Sequence, residues 1–263
     1  MTHFVTDQYS SWLQFAKTIT LEAGEIVSTL YSSKKAIHFK EGLDGRPSTV
    51  TKADTQSEQH LVAALQKQFP DHGIYGEEGT NIALDHEYVW YIDPIDGTTN
   101  FWRHIPLFGI SVGLTYQKQP VLGVLYFPAL KLLVTGYQGG GAFANDKPIH
   151  VSTRSLAKSL YYVSCQELRN GLRFPSLAKE VGWIKAIDAS SFEFAQIAMG
   201  DVELYTFFQK TPQDMVAGSI IIQEAGGTVT NEHGQPWTTD DAMIVASNGV
   251  EHQRVLELVK QDL

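Results

Sequence analysis

The sequence contains little cysteine, comparatively little positive charge and no long hydrophobic run. Its one cysteine, Cys165, excludes an internal disulfide and a zinc site built from several cysteines. Lys and Arg number 20 against 29 Asp and Glu, a formal charge of −9, and such a surface repels nucleic acid and acidic membranes. No stretch approaches the roughly 20 apolar residues that span a bilayer. We therefore expect no nucleic-acid partner and no membrane partner, and the N-terminal residues, which lack a signal-peptide pattern, predict a cytoplasmic protein.

The hydrophobic pattern predicts a layered α/β fold. Apolar residues recur at helical spacing from Thr6 to Tyr31, which indicates a long amphipathic helix. Three strand-like runs between residues 108 and 137 are separated by short polar turns and favour an antiparallel meander. Strands and helices alternate in the second half of the chain. Because no Pro-, Gly- or Ser-rich linker interrupts the sequence, we interpret residues 1–263 as a single domain with subdomains at approximately 1–150 and 151–263.

A loop and a second helix are predicted between these regions. Residues 32–50 are polar and contain glycine and proline, which is typical of an exposed loop or hairpin. Thr55 and Glu58 have the spacing of a capping box just before an apolar run, so the pattern predicts that a helix begins there. Pro70 is expected to end that helix.

The segment WYIDPIDGTTNF, residues 90–101, carries the strongest chemical signal. Pro94 cannot donate a hydrogen bond, so we expect the preceding strand to break after Asp93. Such a break would bring Asp93, the Ile95 carbonyl and Asp96 into one tight turn. Carboxylate and carbonyl oxygens are the ligands that Mg²⁺ prefers. Asp and Pro also favour ordinary capped turns, and the pair of aspartates alone leaves that alternative open.

A phosphate site is predicted directly after this turn. Gly97, Thr98 and Thr99 have the character of a helix start. The free N–H groups and the dipole at a helix N-terminus attract anions. The sequence therefore places oxygen ligands for a cation beside donors for a phosphate.

Three segments together resemble the inositol monophosphatase family, which consists of lithium-sensitive, Mg²⁺-dependent phosphomonoesterases. Residues 90–101 are similar to its first signature, and GEEG places Glu77 and Glu78 like the family's acidic pair, with Glu77 sixteen residues before Asp93. The segment PQDMVAGSIIIQEAGG resembles the second signature, whose helix-opening aspartate is Asp214 here. The resemblance spans nearly the whole chain. It implies a layered αβαβα fold, with an N-terminal α+β half that contains an antiparallel sheet and a C-terminal α/β half, and it implies a homodimer.

The resemblance also implies a role for each matching residue. Two or three Mg²⁺ ions would be held by one set of ligands: Glu77, Asp93, the Ile95 carbonyl, Asp96 and Asp214. The catalytic residues would be Asp54, Glu77 and Thr98, with Asp54 bonded to Thr98 so that the pair orients the attacking water. The substrate would contact Gly97, Thr98, Asp96, Ser190 and Asp214. Two alternatives stay open, since Asp54 could serve only as a helix N-cap and Glu78 could be a solvated acid outside the ligand set.

Two positions depart from the family pattern near the expected leaving-group pocket. Seven residues before Asp214, members that hydrolyse inositol phosphates carry a Glu that bonds sugar hydroxyls, and Phe207 stands there. Gln213 replaces a Trp. A phenyl ring cannot accept a hydrogen bond, so Asp188 or Gln209 is a candidate for the missing hydroxyl contact.

We therefore predict a Mg²⁺-dependent phosphomonoesterase that hydrolyses inositol monophosphate or a related small polyol or sugar phosphate by metal-activated attack of water. Two alternatives remain at this stage. The first is a phosphatase of another branch, acting on 3′-phosphoadenosine 5′-phosphate, fructose 1,6-bisphosphate or histidinol phosphate. The second is a family member that acts mainly as a regulatory binding protein.

Overall fold

The computed structural model describes residues 2–31, 37–41, 47–209 and 211–263. None of the helices in these ranges is both long enough and apolar enough to cross a membrane. The helices are α1 (Thr2–Tyr31), α2 (Lys52–Gln68), α3 (Thr98–Trp102), α4 (Cys165–Asn170), α5 (Pro175–Ala178), α6 (Ser190–Ala198), α7 (Pro212–Glu224) and α8 (His252–Asp262).

The strands form three sheets. A hairpin contains β1 (Ile37–Glu41) and β2 (Pro47–Thr51). An eight-stranded sheet contains β3 (Gly73–Gly76), β4 (Asn81–Ile82), β5 (Tyr88–Asp96), β6 (Gly109–Tyr116), β7 (Gln119–Phe127), β8 (Leu132–Tyr137), β9 (Gly141–Ala144) and β10 (Lys147–Pro148), in the order β10-β9-β8-β7-β6-β5-β3-β4. A five-stranded sheet contains β11 (Leu160–Tyr162), β12 (Trp183–Lys185), β13 (Leu204–Phe208), β14 (Thr228–Thr230) and β15 (Met243–Ser247), in the order β12-β11-β13-β15-β14.

The five layers are held together by three hydrophobic cores, of which the second spans two interfaces. One core lies between α1, α2 and a face of the eight-stranded sheet, and it is centred on residues such as Leu61 and Trp90. The second joins the opposite face of that sheet to α6, α7 and the five-stranded sheet. The third lies between the five-stranded sheet and α5 and α8. The buried residues of these cores come from the facing sides of neighbouring layers, and the layered αβαβα fold predicted from the sequence is confirmed.

Most elements agree with the sequence prediction, and the meander β6-β7-β8 is antiparallel as expected. The capping box of the second helix is predicted wrongly. Thr51, not Thr55, caps α2, and its partner in the box is Asp54. Both pairs have the same spacing, but only the earlier one coincides with the extended backbone of Thr51 at the end of β2. For residues 32–50, the loop-or-hairpin prediction agrees with β1 and β2 where the chain is described, and residues 32–36 and 42–46 lie outside the described residues.

Candidate active site

Two neighbouring parallel strands bring the first two acidic residues together. β3 pairs in parallel with β5, with Gly76 opposite Ile92. Glu77 and Asp93 come directly after these partners, so both lie towards the carboxyl ends of adjacent strands. The N–H of Glu77 also donates to the Ile92 carbonyl at 3.2 Å. Parallel strand ends of this kind are where α/β proteins place ligand-binding side chains.

Pro94 bends the end of β5 without ending it, which corrects the prediction of a strand break after Asp93. β5 continues to Asp96, and its pairing with β6 becomes irregular between Asp93 and Asp96. Proline is tolerated within a sheet at such irregularities because no ladder hydrogen bond is then required from it. The Asp93 carboxylate accepts the Ile95 N–H at 2.9 Å, and Ser57 on α2 donates to the Pro94 carbonyl at 3.3 Å. Residues 93–96 are therefore an irregular end of β5 in place of the expected tight turn.

Asp96 connects this turn to the second half of the chain. Its carboxylate accepts the N–H groups of Ser190 at 3.2 Å and Ser191 at 2.6 Å, together with the Ser191 hydroxyl. These are the first N–H groups of α6, which have no partner within the helix. Asp96 therefore caps the N-terminus of a helix that begins 94 residues further along the chain. This contact places Ser190 beside Asp96.

Asp214 reaches the same place from α7. It lies in the first turn of that helix, which Pro212 opens at a position where a missing N–H costs nothing. The main-chain carbonyl of the preceding Gln213 accepts the Ser111 hydroxyl of β6 at 3.0 Å. The start of α7 is thereby held against the eight-stranded sheet, next to the strand that carries Asp93.

Burial and the charges of neighbouring acids raise the pKa of Asp93, Asp96 and Asp214. Burial raises the pKa of Asp93 well above its ordinary value, and the charge of Glu77 raises it further, with Asp214 and Asp96 acting in the same direction. Burial likewise raises the pKa of Asp214, to which Asp96 and Glu77 add. Burial raises the pKa of Asp96 to about 6, although the hydrogen bonds from Ser191 oppose that shift. The four side chains form one repulsive anionic cluster.

Asp54 contacts both the start of α2 and Thr98, although the N-cap residue of α2 is Thr51 and Asp54 is its partner in the capping box. One carboxylate oxygen accepts the N–H and the hydroxyl of Thr51 at 2.7 and 2.6 Å, which completes the cap of α2. The other oxygen lies 3.3 Å from the Thr98 hydroxyl, which is also 3.0 Å from the Ile95 carbonyl. Burial raises the pKa of Asp54 to about 7, and the hydrogen bonds from Thr51 oppose that shift. The helix cap therefore holds a buried carboxylate against the Thr98 hydroxyl.

Thr98 begins α3 directly after Gly97. Gly97 has a φ of +80°, a left-handed conformation that favours glycine. A Cβ at this position would also lie 3.0 Å from both the Ala189 Cβ and the Leu107 carbonyl. The start of α3 therefore depends on glycine at position 97 for both its backbone angle and its close packing.

Comparison with known proteins identifies the chain's relatives. The model of the inositol monophosphatase family matches residues 8–263. The chain belongs to the inositol monophosphatase family. It is 30% identical to a fructose-1,6-bisphosphatase/inositol-1-monophosphatase of Aquifex aeolicus over 97% of both chains, and 33% identical to inositol monophosphatase 3 of Solanum lycopersicum over 90% of this chain and 92% of that one. An inositol monophosphatase from Anabaena is similar in structure, with a TM-score of 0.84, 31% identity and 96% coverage of both chains.

Membership of the inositol monophosphatase family establishes the class of reaction. The enzyme is a phosphoric monoester hydrolase, and the family is metal-dependent. Within the described residues, no three His, Cys, Asp or Glu side chains are already arranged to hold a metal ion. The donor set nevertheless fits a hard cation, because carboxylate oxygens and the Ile95 carbonyl suit Mg²⁺ and a cation offsets the mutual repulsion of the acids.

The substrate side differs from the expected family pattern where the sequence departs from it. Phe207 is half-buried, packs against the central core and lies 5.9 Å, ring to ring, from Tyr205 on the same face of β13. The Tyr205 hydroxyl is 3.0 Å from the Ser190 hydroxyl. Gln213 is buried in α7. Ser190 thus lies between Asp96 and Tyr205 of β13, and Phe207 follows Tyr205 on the same face of that strand.

Glu58 is a positioning residue that the sequence analysis missed. It is buried on α2, and its carboxylate accepts the Glu78 N–H at 2.8 Å and the Thr80 N–H and hydroxyl at 3.3 and 2.7 Å. It therefore fixes the turn that carries Glu77. The signal was its spacing from Asp54, since residues four apart lie on the same face of a helix.

Replacing Gly76 by Ala should disturb this turn. The added Cβ would lie 2.6 Å from Glu58 Cδ and 2.7 Å from both carboxylate oxygens, so the buried side chain must move. We expect the free energy of unfolding to fall by about 1–3 kcal/mol, the usual cost of overpacking, and phosphate release to fall with it. Chemical denaturation and a phosphate-release assay measure the two effects. In a Glu58→Ala background the same substitution should cost less, and strictly additive losses would contradict the proposed contact.

Proposed function

We propose that this enzyme is a Mg²⁺-dependent phosphatase of inositol monophosphate or a related small polyol or sugar phosphate. The observation that carries the proposal is the meeting of Glu77, Asp93, Asp96 and Asp214 in one cluster beside the Asp54–Thr98 pair. The names of the relatives, which are inositol monophosphatases from plants and bacteria, support this class of substrate.

The proposed metal ligands are those of the sequence analysis. Glu77, Asp93 and the Ile95 carbonyl would hold one Mg²⁺, and Asp93, Asp96 and Asp214 a second, with a third bound more weakly through water at Glu77. Bound Mg²⁺ lowers the pKa of water and neutralises charge on the phosphoryl oxygens. The clustering of these carboxylates and the hardness of their oxygens support the assignment.

The chain's own residues position the reactants. Gly97 and Thr98 would receive the phosphate at their N–H groups, and Ser190 would contact the leaving alcohol together with Asp96 and Asp214. The Thr98 hydroxyl lies within hydrogen-bond distance of the Asp54 carboxylate, 3.3 Å away. When Thr98 donates to Asp54, the lone pairs of its oxygen are free to accept a proton from the attacking water. The pair orients that water towards phosphorus and holds its proton.

We also propose that the enzyme is a cytoplasmic homodimer with no nucleic-acid or membrane partner. Each protomer would be a single domain whose subdomains meet near residue 150. The acidic composition supports the absence of nucleic-acid binding, since a charge of −9 repels phosphate backbones. Gel filtration with light scattering tests the dimer, which a monomer mass of 29.2 kDa in solution would contradict.

A second candidate is hydrolysis of a bisphosphate or a nucleotide. Phe207 favours it, because an apolar ring does not reward a polyol hydroxyl as an acceptor would. The name of the Aquifex relative includes fructose-1,6-bisphosphatase, which makes that ester the first alternative substrate to test.

A substrate panel separates the candidates. Phosphate release is measured at fixed Mg²⁺ with inositol 1-phosphate, glycerol 2-phosphate, fructose 1,6-bisphosphate, histidinol phosphate and 3′-phosphoadenosine 5′-phosphate. We expect the highest kcat/KM with inositol 1-phosphate or another polyol monophosphate. A higher value with a bisphosphate or nucleotide would transfer the assignment to the second candidate, and no release from any ester would favour a regulatory binding role.

A further inference from the structure

Three parallel strands of the five-stranded sheet end at the same edge. β12 pairs in parallel with β11, and β11 pairs in parallel with β13. The residues that follow these strands therefore meet at one edge, which in α/β sheets is the edge that binds ligands. Cys165 follows β11, Asp188 follows β12, and Gln209 follows β13.

The segment around Asp188 contacts the backbone at Gly97. A Cβ on Gly97 would lie 3.3 Å from the Asp188 carbonyl oxygen, so the two backbones are in close contact. Asn100 of α3 donates to the Ile187 carbonyl at 2.9 Å. The segment that contains Asp188 is therefore packed directly beside Gly97 and Thr98, where the phosphate is proposed to bind.

Asp188 has an unusual backbone conformation that its neighbours maintain. Its φ is +67°, in the left-handed region that is uncommon for residues other than glycine. On one side of it, the Ile187 N–H donates to the buried Glu193 carboxylate at 3.0 Å. On the other side, Ser190 and Ser191 donate to Asp96. Conformations of this kind persist where surrounding contacts over-determine them, and they concentrate at functional sites.

The Asp188 side chain is exposed and close to Cys165. Burial raises the pKa of the Cys165 thiol to about 11, and the charge of Asp188 and a hydrogen bond to it add to that shift. The thiol therefore stays protonated and donates to the carboxylate. The thiol occupies one of the lone pairs of the Asp188 carboxylate, and an exposed carboxylate can accept further hydrogen bonds.

We infer that Asp188 determines specificity by accepting hydrogen bonds from the hydroxyl groups of the leaving alcohol. The inference rests on the proposed function and assigns to Asp188 the contact that Phe207 cannot make. A carboxylate at this place stabilises a bound uncharged polyol by accepting hydrogen bonds from its hydroxyl groups. The same charge repels a second phosphate. The substrate class is therefore a polyol monophosphate rather than a bisphosphate.

The test compares two esters in the full-length enzyme with Mg²⁺. Inositol 1-phosphate has a leaving group rich in hydroxyls, whereas that of 4-nitrophenyl phosphate has none. We expect Asp188→Gly to lower kcat/KM for inositol 1-phosphate about 10- to 100-fold, the range for a lost hydrogen bond to a charged group. Asp188→Asn keeps an uncharged acceptor, so its loss should be in the same direction but smaller. The loss should appear mainly in KM, and kcat/KM for 4-nitrophenyl phosphate should change by less than about twofold by the same reasoning.

Two controls separate specificity from folding. Glycine and asparagine both accept a left-handed backbone, so neither variant should have a lower melting temperature than the original enzyme. Asp146→Gly is a matched control, because Asp146 is also an exposed aspartate with a positive φ, of +61°, and its carboxylate pairs with Lys17 of α1. Its kcat/KM should be unchanged for both esters.

Two results would overturn the inference: equal losses with both esters, or an unchanged kcat/KM for inositol 1-phosphate in both Asp188 variants. A gain on fructose 1,6-bisphosphate in the Asp188→Asn variant would support it, since the repulsion would be gone. If the original enzyme hydrolyses 4-nitrophenyl phosphate but no polyol phosphate, the proposed substrate fails, and that outcome is distinct from a failure of the Asp188 assignment.

Discussion

Replacing Asp93 by Asn should lower kcat for phosphate release by at least about 10³-fold, since electrostatic stabilisation by bound ions supplies much of the catalysis in metal-dependent phosphoryl transfer. Asp93 is the one side chain proposed to contact both principal Mg²⁺ ions. An amide of the same shape retains the acceptor for the Ile95 N–H, 2.9 Å away, but carries no charge. The loss should therefore be electrostatic rather than structural. Steady-state phosphate release over a range of Mg²⁺ concentrations measures it.

The same variant should fold at least as stably as the original enzyme without metal. Burial and neighbouring acids raise the pKa of Asp93, so its ionised form is disfavoured in the folded state. The stability associated with a raised carboxyl pKa is present at low pH and is lost as the pH rises through the folded pKa. At neutral pH an uncharged amide therefore removes a repulsion.

Thermal melting with and without Mg²⁺ completes this test. Mg²⁺ should raise the melting temperature of the original enzyme, because a ligand that binds only the folded state stabilises it, and the shift should be much smaller in Asp93→Asn. Asp85→Asn, which neutralises an exposed aspartate in a turn, serves as the control and should keep both activity and the Mg²⁺ shift. Retained turnover in Asp93→Asn would exclude Asp93 as a metal ligand.

Part of this site could be predicted from local sequence. The departure from regular strand at residues 93–98 could be predicted from these residues themselves, since proline, glycine and closely spaced aspartates favour irregular backbone. Helix α1 and the meander follow from long, regular periodicity. The strand break after Asp93 was wrong because the pairing partner β6 adapts to Pro94 through an irregular register, and pairing is not visible in one strand's sequence.

The contacts that hold the site together could not be predicted in the same way. Asp96 caps a helix 94 residues away, and Glu58 supports a turn 20 or more residues downstream. Both depend on how the layers pack, and a carboxylate that accepts N–H groups across the fold has the same local sequence as a solvated one. Asp188 is similar, because its left-handed backbone arises from contacts of Ile187 and Ser190 rather than from a glycine.

Replacing Asp54 by Asn should lower kcat about 10²- to 10⁴-fold, the range for a lost general base. An amide can still pair with the Thr98 hydroxyl, but it cannot draw a proton through it. Thr98→Val, which removes the hydroxyl without changing the volume much, should have a similar effect. Asp54 also belongs to the capping box of α2, but an amide oxygen can still accept from Thr51 and burial already raises the pKa of Asp54 to about 7, so the substitution should change stability little.

A Thr51 variant separates the effect of Asp54 on catalysis from the effect of the helix cap on stability. Thr51→Ala removes the hydroxyl that accepts from the Ala53 N–H at 3.1 Å and donates to Asp54. The Thr51 N–H still donates to the same oxygen of Asp54, and the other oxygen still faces Thr98. It should lower the melting temperature yet keep kcat within about threefold, since helix caps contribute to stability and not to transition-state binding.

If Asp54 acts through Thr98, the double variant Asp54→Asn/Thr98→Val should be no slower than the slower single variant. Fully multiplicative losses would mean that the two residues act independently, and an active Asp54→Asn enzyme would reduce Asp54 to a helix cap.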